Sequence, residues 1–84
     1  MADVRIYTTD YCGYCRSAKR FFDERGVKYT EIDLSGDDAA RDDLAARTGR
    51  HTVPQIFVGT THVGGFTDLV ALERAGGLAP LLTA

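Results

Sequence analysis

Cys12 and Cys15 are the only two cysteines of the 84-residue chain, and they stand at C-x-x-C spacing as Cys12-Gly13-Tyr14-Cys15. That spacing brings two sulfurs within bonding distance at the head of an amphipathic stretch. A sulfur at a helix N-terminus lies among unpaired backbone N–H groups, and the helix dipole there favours a thiolate over a thiol. A thiolate beside a second thiol performs disulfide exchange: it attacks a disulfide sulfur, and its neighbour resolves the mixed disulfide. The pattern predicts unequal sulfurs. Cys12, placed as the first residue of the helix, is expected to be exposed and nucleophilic. Cys15, one turn later on the face of Ala18 and Phe22, is expected to be buried and resolving.

Three other uses of the pair compete with this one. A disulfide staple would close a very short loop, adding about 2 kcal/mol at best, and no second pair exists to extend a framework. A zinc site would need Cys12 and Cys15 with His51 and His62, which lack finger-like spacing. A 2Fe–2S cluster shared between two chains, with Cys12 as ligand, stays open.

The elements that must position these sulfurs can be read along the chain. Apolar residues make up 44% of it, enough for one core, and residues 1–84 are expected to form a single domain. Val4–Thr8 reads as a strand. Gly13–Arg25 reads as a helix stopped by Gly26, with Cys15, Ala18, Phe21 and Phe22 on its inner side. Val27–Asp33 reads as a second strand, and Ser35-Gly36-Asp37-Asp38 as a turn and N-cap. A second helix carries Ala40, Leu44 and Ala45 and ends near Thr48-Gly49. Gln55–Val58 and Thr61–Val63 form a hairpin about Gly59-Thr60. Gly64-Gly65 breaks the last strand, and Thr67 caps a third helix that stops at Gly76-Gly77. Pro80 suits the first turn of a short terminal helix. The order is β-α-β-α-β-β-α plus that helix, an α/β fold with the first two strands parallel.

Charge and hydropathy narrow the function classes. A net charge of −2 and a pI near 5.5 give no electrostatic footprint for nucleic acid. No apolar run approaches the roughly 20 residues of a membrane span, and Met1-Ala2-Asp3-Val4-Arg5 has no signal-peptide pattern. A cytoplasmic, reducing compartment is the expectation, and there a C-x-x-C pair is catalytic or metal-binding more often than structural.

Two further constellations face the sulfur pair. Proline at the head of a strand is ordinary. A cis Val53–Pro54 bond would instead turn the Val53 N–H and C=O outward, to pair with an extended peptide-like substrate. Gly64-Gly65-Phe66-Thr67-Asp68 joins a strand end to a helix start, where backbone N–H groups can receive a carboxylate and Asp68 can meet an ammonium. The plain alternative is a tight glycine bend with Asp68 favouring the helix dipole. Tyr11, Tyr14 and Phe66 read as surface aromatics near Cys12. His51, His62 and the acidic run Asp37-Asp38…Asp42-Asp43 read as solvated.

In order and spacing, Cys12-Gly13-Tyr14-Cys15, Thr52-Val53-Pro54-Gln55-Ile56-Phe57 and Gly64-Gly65-Phe66-Thr67-Asp68-Leu69 together resemble the glutaredoxin family, and most nearly its small bacterial dithiol members. The resemblance implies a thioredoxin-like fold, a four-stranded mixed sheet flanked by helices. It implies a monomeric, glutathione-dependent thiol–disulfide oxidoreductase acting on protein disulfides and glutathionylated proteins. Carried over, Cys12 is the nucleophile and Cys15 the resolving thiol, and Val53–Pro54 is cis. Thr52, Val53 and Pro54 line the glutathione site, and Gly65, Phe66, Thr67 and Asp68 hold the γ-glutamyl end. Tyr14 flanks the sulfur, and Arg41 turns toward the glycyl carboxylate. Two positions depart from the family pattern. Gly13 stands where the motif usually has proline, a change that accompanies some cluster-binding members. Thr8 stands where a lysine is common, which removes a cation near the thiolate.

Overall fold

The computed structural model describes residues 2–83. Eight elements follow in order: β1 (Val4–Thr8), α1 (Gly13–Glu24), β2 (Thr30–Asp33), α2 (Asp38–Thr48), β3 (Gln55–Val58), β4 (Thr61–Gly64), α3 (Phe66–Arg74) and α4 (Leu78–Leu82). The strands form one mixed sheet in the order β2-β1-β3-β4. β1 runs parallel to β2 and antiparallel to β3, with Ile6 opposite both Glu31 and Ile56. β3 and β4 pair as the expected hairpin, with an irregularity between Ile56 and Phe57.

The side-chain period of two assigns each face of the sheet a partner. Val4, Ile6, Ile56 and Val58 meet Ala18, Phe21 and Phe22 of α1, Leu69 of α3 and Leu78 of α4 in the larger core. Tyr7 meets Leu34 and Leu44 on the other face, with Val53 and Phe57 packed alongside. Helices thus cover both faces, and the loops after β1 and before β3 emerge beside each other. Among the described residues no helix is long and apolar enough to cross a membrane.

Two boundaries differ from the sequence reading by more than a residue, each for a local reason. The second strand begins at Thr30, not Val27, because Val27 still donates its N–H to Phe22 O at 3.0 Å and so belongs to the helix exit. Gly26, at φ 66°, makes that exit possible. The cap of α3 is Gly65, not Thr67; Asp68 reaches back from the first turn to accept the Gly65 N–H at 2.9 Å. The predicted N-cap of α2 falls on Asp37, whose carboxylate accepts from Ala40 N.

Candidate active site

The two sulfurs sit where β1 hands the chain to α1. Thr9-Asp10-Tyr11 forms the connection, pinned where the Asp10 N–H donates to Ser35 Oγ at 2.8 Å. Cys12 is the N-cap of α1 and not, as the sequence suggested, its first residue. In that place its extended backbone turns the sulfur over the helix end, and Sγ accepts the Cys15 N–H at 3.1 Å. Across the loop, the Cys12 thiol donates to the Val53 carbonyl at 3.4 Å. Cys12 is half-buried, held between its own helix and the Val53 loop.

Cys15 is the contrasting sulfur. It is 1% exposed. Burial is the main reason its thiol is pushed up to about 12, and the hydrogen bond with Cys12 adds to the effect. Both cysteines are free thiols. Cys15 is thus buried as expected, whereas Cys12, expected to be exposed, is a half-buried sulfur that caps its helix.

A groove of about 290 Å³ opens beside Cys12, between the 52–54 loop and the start of α3. Tyr14, Thr52, Val53, Pro54, Gly65, Phe66, Thr67 and Asp68 line it, as the sequence suggested. The Val53–Pro54 bond is cis. Tyr14 and Phe66 form its aromatic rim, with ring centroids 6.3 Å apart. The structure does not bring Arg41 to this groove; Arg41 lies exposed on α2. Arg50 lines the groove instead, its Nη1 2.7 Å from Asp68 Oδ2. Arg50 was missed because it sits in the loop after α2 and belongs to no motif; its only signal was a cation two residues before Thr52.

Charge in the groove is paired but not sealed. Asp68 accepts from Arg50 and from the Gly65 N–H, and these two donors, Arg50 first, hold its carboxyl below the usual range. Both side chains of the pair remain about two-fifths exposed, at 44% and 38%. Gly64 makes room for them: at φ 109°, a Cβ there would lie 2.6 Å from Asp68 Oδ2 and 2.9 Å from Arg50 Nη1.

On the other side of the sulfurs lies a polar hollow that includes Cys12, Cys15, Lys19 and Glu31. Glu31 accepts from buried Thr8 at 2.8 Å and from Lys19 at 3.0 Å. A larger, more open hollow of about 590 Å³ near Asp23, Lys28 and Tyr29 contains neither cysteine.

Among the described residues no three His, Cys, Asp or Glu side chains cluster to hold an ion. Cys15 is enclosed, and Cys12 is the partly exposed sulfur.

The glutaredoxin family model matches residues 4–63. The chain belongs to the glutaredoxin family. The Pseudomonas aeruginosa glutaredoxin is 51% identical over 84 residues, across the full length of both chains. Glutaredoxin 3 of Escherichia coli strain K12 is 48% identical over 82 residues, covering 98% of this chain and 99% of that one. The crystal structure of a buckwheat glutaredoxin–glutathione complex superposes with a TM-score of 0.91 at 38% identity, covering 98% of this chain and 77% of that one. Glutaredoxin membership and this thioredoxin-like fold support thiol–disulfide oxidoreductase activity, with Cys12 and Cys15 as the redox-active pair.

Proposed function

We propose that the chain is a glutathione-dependent oxidoreductase that reduces glutathione mixed disulfides and protein disulfides. The observation that carries this reading is the Cys12–Val53 contact at 3.4 Å, which joins the nucleophile to a groove with both charge signs at its far end. Glutathione needs that combination: a thiol at the centre, a carboxylate and an ammonium on the γ-glutamyl end, and a carboxylate on glycine. The buckwheat relative, named as a glutathione complex, supports the choice of ligand.

In this reading the Val53 backbone pairs with the cysteinyl part in the manner of an added strand. Asp68 meets the ammonium, and the N–H groups at the start of α3 meet the adjoining carboxylate. Gly65, Phe66 and Thr67 form that wall, Thr52 and Pro54 the facing one, and Tyr14 flanks the sulfur. Arg50, already in the groove, is placed to receive a carboxylate, a role for which exposed Arg41 is less well situated.

The chemistry balances in two stages. Cys12 thiolate attacks the glutathione sulfur of a glutathionylated protein; the Cys12–glutathione disulfide forms and the protein leaves as thiolate, which takes up a proton. A second glutathione thiolate then attacks the glutathione sulfur bound to Cys12, giving glutathione disulfide and Cys12 thiolate. For a protein disulfide, Cys12 forms a mixed disulfide with one protein sulfur and releases the other. Cys15 attacks Cys12 Sγ, the second protein thiolate leaves, and the proton lost by Cys15 is regained by that leaving group. Two glutathiones return the Cys12–Cys15 disulfide to thiols. A coupled assay with glutathione, glutathione reductase and a glutathionylated substrate tests the reading. Turnover in the parent that vanishes in Cys12→Ser is expected; equal turnover in both would end it.

A further inference from the structure

We infer that His62, on the outer strand of the sheet, is a positioning residue for the glutathione groove, acting through buried Gln55 on the Thr52–Val53 loop. The path is continuous in hydrogen bonds. His62 Nε2 lies 2.6 Å from Gln55 Oε1. Gln55 is fully enclosed, and its Nε2 donates to Thr52 O at 2.9 Å and to Thr52 Oγ1 at 3.3 Å. Thr52 and Val53 both line the groove, and Val53 O receives the Cys12 thiol.

The amide orientation follows from this arrangement. Facing a carbonyl, the Thr52 side of Gln55 must be the donating nitrogen, so the other side is the oxygen and needs a donor. His62 supplies it, so Nε2 carries the ring hydrogen. The ring is fixed by stacking on Phe57, with centroids 4.9 Å apart. Burial and the nearby Arg50 charge lower its pKa, which keeps the ring neutral at physiological pH. A wholly enclosed amide oxygen without a donor is costly, so removing the His62 N–H leaves that oxygen unpaired and loosens the Gln55 amide that holds Thr52. An exposed edge-strand histidine, which sequence alone reads as solvated, thereby fixes the loop that meets both substrate and nucleophile.

The consequence for turnover rests on the glutathione reading; the positional claim does not. Two substitutions separate the ring from its hydrogen bond. His62→Phe keeps the stack on Phe57 and loses the donor, whereas His62→Gln replaces the ring but places an amide N–H near Nε2. In His62→Phe, KM for a glutathionylated substrate is expected to rise about five- to tenfold with kcat within twofold, while His62→Gln stays within about twofold of the parent on both. Amide NMR spectra give an activity-free readout: His62→Phe shifts the Thr52 and Val53 backbone signals and speeds exchange of the Gln55 side-chain amide, and His62→Gln restores both. Unmoved Thr52, Val53 and Gln55 signals in a folded His62→Phe protein overturn the inference, whatever the activity. Moved signals with an unchanged KM also overturn it as a statement about the groove. A parent without glutathione-dependent turnover defeats the functional reading alone, and the spectra still decide the positional one.

Discussion

The backbone N–H of Cys15 points at Cys12 Sγ from 3.1 Å while the Cys15 side chain turns into the core. One residue therefore stabilises charge on its partner's sulfur and keeps its own sulfur neutral. With its thiol pushed up to about 12, Cys15 stays protonated at pH 7. In the folded, reduced protein, iodoacetamide is expected to label Cys12 alone, and Cys15 only after denaturant is added. Peptide mapping after graded exposure checks this. Equal labelling of both cysteines in the native state would contradict the asymmetry.

The same asymmetry divides the two reactions. Cys15→Ser should retain deglutathionylation, which needs one sulfur, and lose reduction of protein disulfides, which needs two. Parallel assays on a glutathionylated peptide and a protein disulfide measure the split. Loss of both activities in a folded Cys15→Ser protein contradicts it.

Gly64 and Gly26 both have positive φ, at 109° and 66°, but their surroundings differ. An added Cβ at Gly26 meets nothing within 4 Å, so Gly26→Ala is expected to cost only about 1 kcal/mol of left-handed backbone strain. At Gly64 the same atom collides with Asp68 and Arg50, and the backbone lies outside the left-handed helical region. Gly64→Ala should cost upwards of ~2 kcal/mol. It should also open the Asp68 cap of α3. Urea unfolding of the two variants ranks them; equal losses would show that the crowding is relieved elsewhere.

Much of this arrangement was legible because local rules fixed it. The period change at Cys12, the glycine after Arg25 and the Gly59-Thr60 turn placed β1, α1 and the hairpin close to their observed bounds. The three motifs met in one place because the antiparallel pairing of β1 with β3 puts the β1–α1 loop beside the β3 entrance. What escaped was long-range and outside motifs. Arg50 reaches Asp68 across 18 positions, and His62 reaches Gln55 only because the hairpin folds β4 back along β3. Arg41 and Arg50 lie on or just beyond the same helix, and no periodicity says which one bends into the groove. Thr8 looked like a missing lysine; in the fold its hydroxyl stands there as a donor to Glu31, which Lys19 also reaches.

Thr8 offers a test of that replacement. Its buried hydroxyl is the leading reason that the Glu31 carboxyl sits below its ordinary range, with Lys19 contributing further. Thr8→Val keeps the shape and removes the donor, so Glu31 should titrate closer to about 4.3, with a stability loss on the order of 1 kcal/mol. Carboxyl NMR titration and urea unfolding measure the two effects. An unmoved Glu31 titration would mean that Lys19 alone sets it.

Asp68 makes stability depend on pH. Its folded-state pKa is depressed, first by Arg50 and then by the Gly65 N–H. The unfolded chain, with aspartate near 3.9, therefore binds more protons than the folded one in the interval between the two values. The stabilisation is present above about pH 4 and is lost as pH falls through the lower folded value. Arg50→Gln removes the leading cause, so the Asp68 titration should move up toward about 3.9 and the acid-labile part of the stability should shrink. The Gly65 N–H remains in that variant, so a residual depression is expected; Asp68→Asn abolishes the dependence altogether. Those two variants differ at the groove as well. Asp68→Asn removes the anion for the ammonium, while Arg50→Gln frees Asp68 and removes a cation for a carboxylate. Both should raise KM for a glutathionylated substrate, but only Arg50→Gln should leave an acidic carboxylate step in the KM profile. A KM profile without that step in Arg50→Gln would mean that Asp68 does not meet the substrate.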